Sequence, residues 1–355
     1  MSLSKRPSGR WQAQYRDPTT GRRVSKSFRT KGEAQAWERD ALHAIDAGEY
    51  VAPTTTTVAA VCEDWLAEAE ALGRLRHSTL AAYRSDVNRH IIPRLGRLVI
   101  ADLSPGLIES RLIVPLVREG LANTTIRGVT IPLGKALDRA VRHRLLRINP
   151  ARGIAWREVL PEPAPKAPQV TFTTAELSRL IDAAPTDEAR TFLGLMAGTG
   201  LRIGEALALR RRDLGATTVA VAQTVSRGRI GPPKTAASEA VVPVLPEHLD
   251  AARLLAAGKG EDALVFSGTR GGPLPPTTAT RRWLTPALAA VGLPRTGWHV
   301  FRRSYSLILA DRRVSVLDTR DLMHHANADL TVNTYQRDDG EARAERLRRA
   351  VGDCQ

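Results

Sequence analysis

The chain has 355 residues, 52 Lys and Arg against 37 Asp and Glu, a formal net charge of +15 and two cysteines. That length exceeds one ordinary core and points to two or three domains, and the charge favours a polyanionic partner, nucleic acid ahead of an anionic membrane surface. Cys62 and Cys354 lack metal-ligand spacing, which argues against a disulfide framework and a zinc site and fits a reducing cytoplasm. No apolar run reaches the roughly 18 residues of a membrane span, so neither membrane nor secretion is expected.

Basic clusters such as Arg22-Arg23, Arg210-Arg211-Arg212, Arg281-Arg282 and Arg302-Arg303 are dispersed along the chain. That fits a folded protein surrounding its partner, although each cluster alone is more often a solvated face. In chain order, Gly9 to Tyr15 alternates, with Trp11, Ala13 and Tyr15 on one face and Gln12, Gln14 and Arg16 on the other, as a half-buried strand does. A turn at Asp17-Pro18 to Gly21 leads to a second strand ending at Phe28. Thr30 with Glu33 forms a capping box that opens a helix through Trp37 and Leu42. Residues 1–50 therefore read as a small sheet plus a helix, and the sheet is expected to be three-stranded.

Residues 54–155 show helical periodicity broken at Gly73, Pro93 to Gly96, Ser104 to Gly106 and Gly120, which predicts an all-helical domain of four or five helices. Its arginines, among them Arg84 and Arg139, either line a face toward a duplex or are ordinary surface. Residues 156–170 are Pro-dense and read as an extended linker. From 171 to 355, a second capping box at Thr173 and Glu176 opens a mainly helical domain. Two strand-like runs, Thr218 to Val225 and Glu239 to Leu245, predict a small antiparallel sheet within it. The fold class is α+β, multidomain.

Four stretches of this last domain carry chemistry. In Gly198 to Glu205, Arg202 and Glu205 stand one helical turn apart beside a helix start, a place suited to holding a phosphate, although a surface pair has the same pattern. In Pro232-Pro233-Lys234-Thr235, Lys234 falls between strand signals on a hairpin tip. His299 and Arg302 are again one turn apart, beside Trp298, where a packed core histidine is the commoner outcome. His324-His325 precedes an isolated Tyr335 by ten residues, and adjacent histidines point about 100° apart on a helix, a poor metal pair. No Asp/Asp/Glu set for Mg²⁺ accompanies them. Two arginines, a lysine, histidines and a tyrosine suit phosphoryl transfer by positioned cations: guanidinium groups hold the non-bridging oxygens, Lys or His protonates the leaving alkoxide, and tyrosine attacks.

The runs GTGLRIGEALALRRRDL, PKTAASEAVVPV, HVFRRS and HANADLTVNTY, in this order and approximate spacing, resemble the tyrosine recombinase (phage integrase) family. The resemblance implies that Arg202 and Arg302 hold phosphate, that Lys234 is general acid, that His299 and His325 complete the set, and that Tyr335 is the nucleophile, with Glu205 supporting Arg202. Three positions depart from the family pattern: Phe301 stands for a leucine, Arg303 for a second histidine, and His324 for a glycine. The N-terminal unit resembles an arm-type DNA-binding domain and residues 54–155 a core-binding domain. Implied partners are double-stranded DNA at core and arm attachment sites, a homotetramer on the synapsed DNA, an accessory DNA-bending protein and an excision factor. No cofactor or metal is implied, and the expected location is a cytoplasmic, nucleoid-associated one. The competing classes are a DNA-binding regulator without catalysis and a relaxing topoisomerase.

Overall fold

The computed structural model describes residues 2–18, 20–48, 50–163, 169–232 and 240–323. The chain divides into two compact units, Met1–Pro165 and Lys166–Gln355. Among the described residues no helix is long and apolar enough to cross a membrane.

The first unit opens with an antiparallel sheet in the order β1 (Ser2–Lys5), β2 (Trp11–Arg16), β3 (Arg23–Phe28). The helix Lys31–Asp46 follows, and its Thr30–Glu33 capping box forms as the sequence implies. Ala13 and Tyr15 are buried, and Tyr15 and Phe28 both meet Trp37, with ring centroids 5.0 and 5.7 Å apart. The register pairs Gln12 with Ser27, Gln14 with Ser25 and Arg16 with Arg23, so the opposite face is polar throughout. Strand β1 is the element with the least sequence signal, because an edge strand pairs through its main chain and needs no apolar alternation.

Four main helical stretches follow, over Val58–Ala71, His77–Asp86 extended to Leu95, Pro105–Ile108 extended to Arg118, and Asn123–Arg142. Their core contains Val61, Leu80, Ile91, Leu112, Ile126 and Leu133. The break expected over Pro93 to Gly96 falls at its far end: the helix runs through Pro93 and stops at Leu95, with Gly96 as its cap. A π-helical turn, Val87–Ile91, immediately precedes Ile92–Leu95. Prolines 115 and 286 are placed the same way, after π turns Glu109–Ile113 and Thr280–Leu284. Proline lacks an N–H and crowds the carbonyl four residues back, and a π turn widens the ladder where that bond is lost. Of the arginines on this unit, Arg84 pairs with Glu70 at 2.7 Å and Arg139 pairs with Glu68.

The Pro-dense segment starts later than the sequence suggested. Trp156–Val159 forms a helical turn and Leu160 is buried in the helical core, because Trp156, Val159 and Leu160 have apolar area to bury even beside prolines. Residues 156–160 therefore belong to the helical core and not to the expected linker.

In the second unit, β4 (Thr218–Val221) pairs with β7 (Ala240–Pro243) in the register Val219 to Val242. A further hairpin, β5 (Thr224–Ser226) with β6 (Arg229–Gly231), lies between them in sequence. The strand-like run from Thr218 to Val225 is thus two strands. Helices Thr174–Asp182, Asp187–Thr199, Pro246–Ala256 and His299–Asp311 enclose an aromatic centre in which Phe192 meets Phe266, Trp283 and Trp298 at 4.8, 5.0 and 5.2 Å between centroids.

Candidate active site

The Asp187–Thr199 helix ends at Gly200, whose φ of 61° is left-handed, and a Cβ there would lie 2.7 Å from the Tyr305 ring. Both the backbone conformation and the close approach demand glycine. The chain then buries Leu201 and presents Arg202 as the residue before the single turn Ile203–Ala206. Glu205, only 3 % exposed, accepts from the Arg202 backbone N–H at 2.9 Å and from its guanidinium at 2.8 Å. One carboxylate therefore fixes both the backbone and the side chain of Arg202, leaving a third of that side chain open to solvent.

The helix His299–Asp311 brings the second arginine. Its start is anchored by Trp298, which donates from Nε1 to Thr280 Oγ1 at 2.8 Å and stacks on Phe301. Arg302 is buried and donates to the Gly200 carbonyl at 2.8 Å and to the Met323 carbonyl, tying three segments of the unit together. Burial, then the Arg202 charge, pull its pKa down to about 10, with Glu205 opposing, so Arg302 remains cationic at neutral pH. His299, the first residue of the helix, is exposed, whereas Val300 and Phe301 after it are buried. Desolvation of part of its ring lowers its pKa, the charges of Arg302, Arg303 and Arg202 lower it further, and Glu205 raises it. His299, Arg302, Arg202 and Glu205 thus form one electrostatic cluster, which makes His299 more than a packed core histidine.

Arg303 donates from Nε to the Val170 carbonyl at 3.1 Å, and Phe301 is fully buried, so two of the departures from the family pattern serve the packing of this helix. Lys234, His324, His325 and Tyr335 lie outside the described residues. Sequence reasoning missed the carbonyls of Gly200 and Met323 as partners of Arg302. Every residue carries such an acceptor, so only the fold selects them. The Arg210-Arg211-Arg212 cluster is an ion-pair network: Arg210 and Arg212 bond Asp262 at 2.9 and 2.5 Å, and Arg211 lies 3.6 Å from Glu261.

Comparison with known proteins gives the family of the chain. The Phage integrase family matches residues 171–341, and the phage integrase N-terminal domain matches 2–47. The chain is 30 % identical to tyrosine recombinase XerC of Mesorhizobium japonicum over 302 residues, covering 80 % of this chain and 92 % of that protein. It is 26 % identical to the integrase of Mycobacterium phage D29 over 354 residues, covering 91 % and 88 %. Among solved structures, a lambda integrase tetramer bound to a Holliday junction superposes with a TM-score of 0.61 at 19 % identity, covering 94 % of each chain. The Tn1549 transposon integrase in complex with transposon right end DNA gives 0.66 at 22 % identity, covering 82 % of this chain and 99 % of that one. The chain belongs to the phage integrase family of tyrosine-type site-specific DNA recombinases.

Proposed function

We propose that Tyr335 is the nucleophile of this recombinase, attacking a DNA phosphate held by Arg202 and Arg302. The observation that carries the reading is the joining of these two arginines at one loop. Glu205 fixes Arg202, and Arg302 bonds Gly200 two residues away. The phenolate oxygen bonds phosphorus as the bond to the 5′ oxygen breaks, giving a 3′-phosphotyrosine and a 5′-hydroxyl. The two guanidinium groups stabilise charge on the non-bridging oxygens, an effect of about 10²–10³ in rate for a single such donor. Lys234 supplies the proton to the leaving 5′ oxygen. His299, kept neutral near pH 7 by its surroundings, is the base within the cluster that takes the phenol proton, and His325 binds the phosphate beside it. The ester conserves the energy of the broken bond, so the 5′-hydroxyl of a partner strand reverses the step. Every charged role is filled by a side chain, and the reading needs no cofactor.

The N-terminal unit, 1–50, is read as the arm-site reader, the helical region 54–155 as the core-site clamp, and the second unit as the catalytic domain. The face formed by Gln12, Gln14, Arg16, Arg23, Ser25 and Ser27 is a row of donors and acceptors of the kind that reads base edges from a major groove, which is wide enough for a β ribbon. The active assembly is a homotetramer on two synapsed duplexes in the nucleoid, assisted by a DNA-bending protein and an excision factor. The test is whether the protein joins two linear duplexes that each carry an attachment site. Joined products support the recombinase reading; relaxation of supercoils without joining would make the chain a topoisomerase, and tight binding with neither would make it a regulator.

A further inference from the structure

The β5–β6 hairpin carries two features that packing alone does not require. Ser226 pairs with Arg229, leaving a two-residue turn, Arg227-Gly228. Their φ angles are 49° and 75°, the positive pair that a type I′ turn needs, where Asn-Gly or Gly-Gly is the favoured sequence. Glycine is at ease there. A long, branched-headed residue such as arginine is not, and a side chain kept in a disfavoured backbone state is a mark of use rather than of convenience.

The hairpin is also seated on the phosphate site. A Cβ on Gly204 would stand 2.5 Å from Thr224 Oγ1 and 2.6 Å from the Val225 carbonyl, so β5 packs directly on the turn that carries Arg202 and Glu205. Val225 is buried beneath it. Two residues at about 3.3 Å each put Arg227 roughly 7 Å beyond Val225, a reach on the order of the distance to a neighbouring phosphate. Arg227 and Arg229 are both exposed, and among the described residues neither guanidinium has a hydrogen-bond or ion-pair partner. Some surface arginines of this unit are tethered, Arg190 to Asp187, Arg253 to Asp250 and Arg212 to Asp262, while Arg270, Arg281 and Arg295 are exposed like the hairpin pair; the hairpin differs from these in packing directly on the Arg202–Glu205 turn.

We propose that the Arg227–Arg229 hairpin is a separate DNA-backbone contact, a two-arginine finger gripping phosphates that flank the one held by Arg202 and Arg302. It rests on the recombinase reading above, and it is distinct from the Lys234 segment that follows β6. The site takes phosphodiester oxygens of a duplex and is indifferent to base sequence.

The experiment is equilibrium binding of the full chain to a random-sequence duplex across a salt series, for wild type, Arg227→Asn, Arg227→Lys and Arg229→Gln. Each phosphate contact contributes about 0.9 to the log–log salt slope. Loss of one therefore weakens binding roughly eightfold at 0.1 M salt relative to 1 M salt, and the slope falls by about 0.9 in Arg227→Asn and again in Arg229→Gln. Arg227→Lys keeps the slope. Asparagine suits the left-handed position, so Arg227→Asn should melt at or above the wild-type temperature, and its lost affinity cannot then be blamed on unfolding. Wild-type slopes in both folded charge-removing variants overturn the proposal alone. A wild type that binds no duplex at any salt overturns it together with the recombinase reading.

Discussion

At the residue scale, Glu205 acts as the organiser of the site. Its carboxylate accepts from two groups of Arg202 and is the one cause that raises the His299 pKa. In a histidine NMR titration, His299 is expected to titrate below its ordinary value of about 6.5 and to be neutral at pH 7. In Glu205→Gln the raising influence is gone, so the midpoint should fall further. An unchanged or higher midpoint in the variant would contradict the cluster. A neutral His299 as base also fixes the sign of the pH dependence: cleavage should rise with pH through that depressed midpoint and level off by neutrality. The same variant keeps an acceptor for the Arg202 N–H but loses the ion pair, so cleavage should fall about 10²-fold with a much smaller loss of DNA affinity, as expected for a group that acts through phosphate positioning. The pair Arg202–Glu205 was legible as a spacing of three residues, although Arg202 precedes the turn and is held by Glu205 as its cap; His299 and Arg302 share the first turn of one helix, as their spacing implies. The bond from Arg302 to Gly200 was not, because it spans a hundred residues and ends on a main-chain oxygen without side-chain identity.

At the element scale, the start of the His299–Asp311 helix is set by aromatic packing. Phe192 touches Trp298, Trp283 and Phe266, and Trp298 holds the first turn through Thr280. Phe192→Ala should destabilise the second unit by about 3–5 kcal/mol, measured by denaturant unfolding. A loss below 1 kcal/mol would mean that the cluster does not brace the helix. The capping boxes at Thr30 and Thr173 could be read from the sequence because their signal is local. The π turns before prolines 93, 115 and 286 could not, since a proline normally reads as a break and only packing on both sides of it keeps the helix going. The β5–β6 hairpin was hidden for a similar reason: its turn is Arg-Gly, which lacks the asparagine or aspartate that announces such turns.

At the scale of the whole molecule, recognition of arm DNA falls, under the proposed function, to the polar-faced N-terminal sheet and cutting to the second unit. Deleting residues 1–50 should abolish binding to arm sites in a gel-shift assay while core-site binding persists. Retained arm binding would move that role elsewhere in the chain. Membership of the family was legible in four short runs of the second unit, all of them within residues 171–341 that the family matches. The extent of the linker was not, because proline content says nothing of where Trp156 and Leu160 find a core.

The most direct test of the account is covalent trapping on a nicked suicide substrate carrying the core site, without divalent metal, comparing wild type with Tyr335→Phe on denaturing gels. The account predicts a protein–DNA adduct for wild type and none for the variant, with both binding the site. An adduct that survives in Tyr335→Phe, or tight wild-type binding with no adduct, would contradict it.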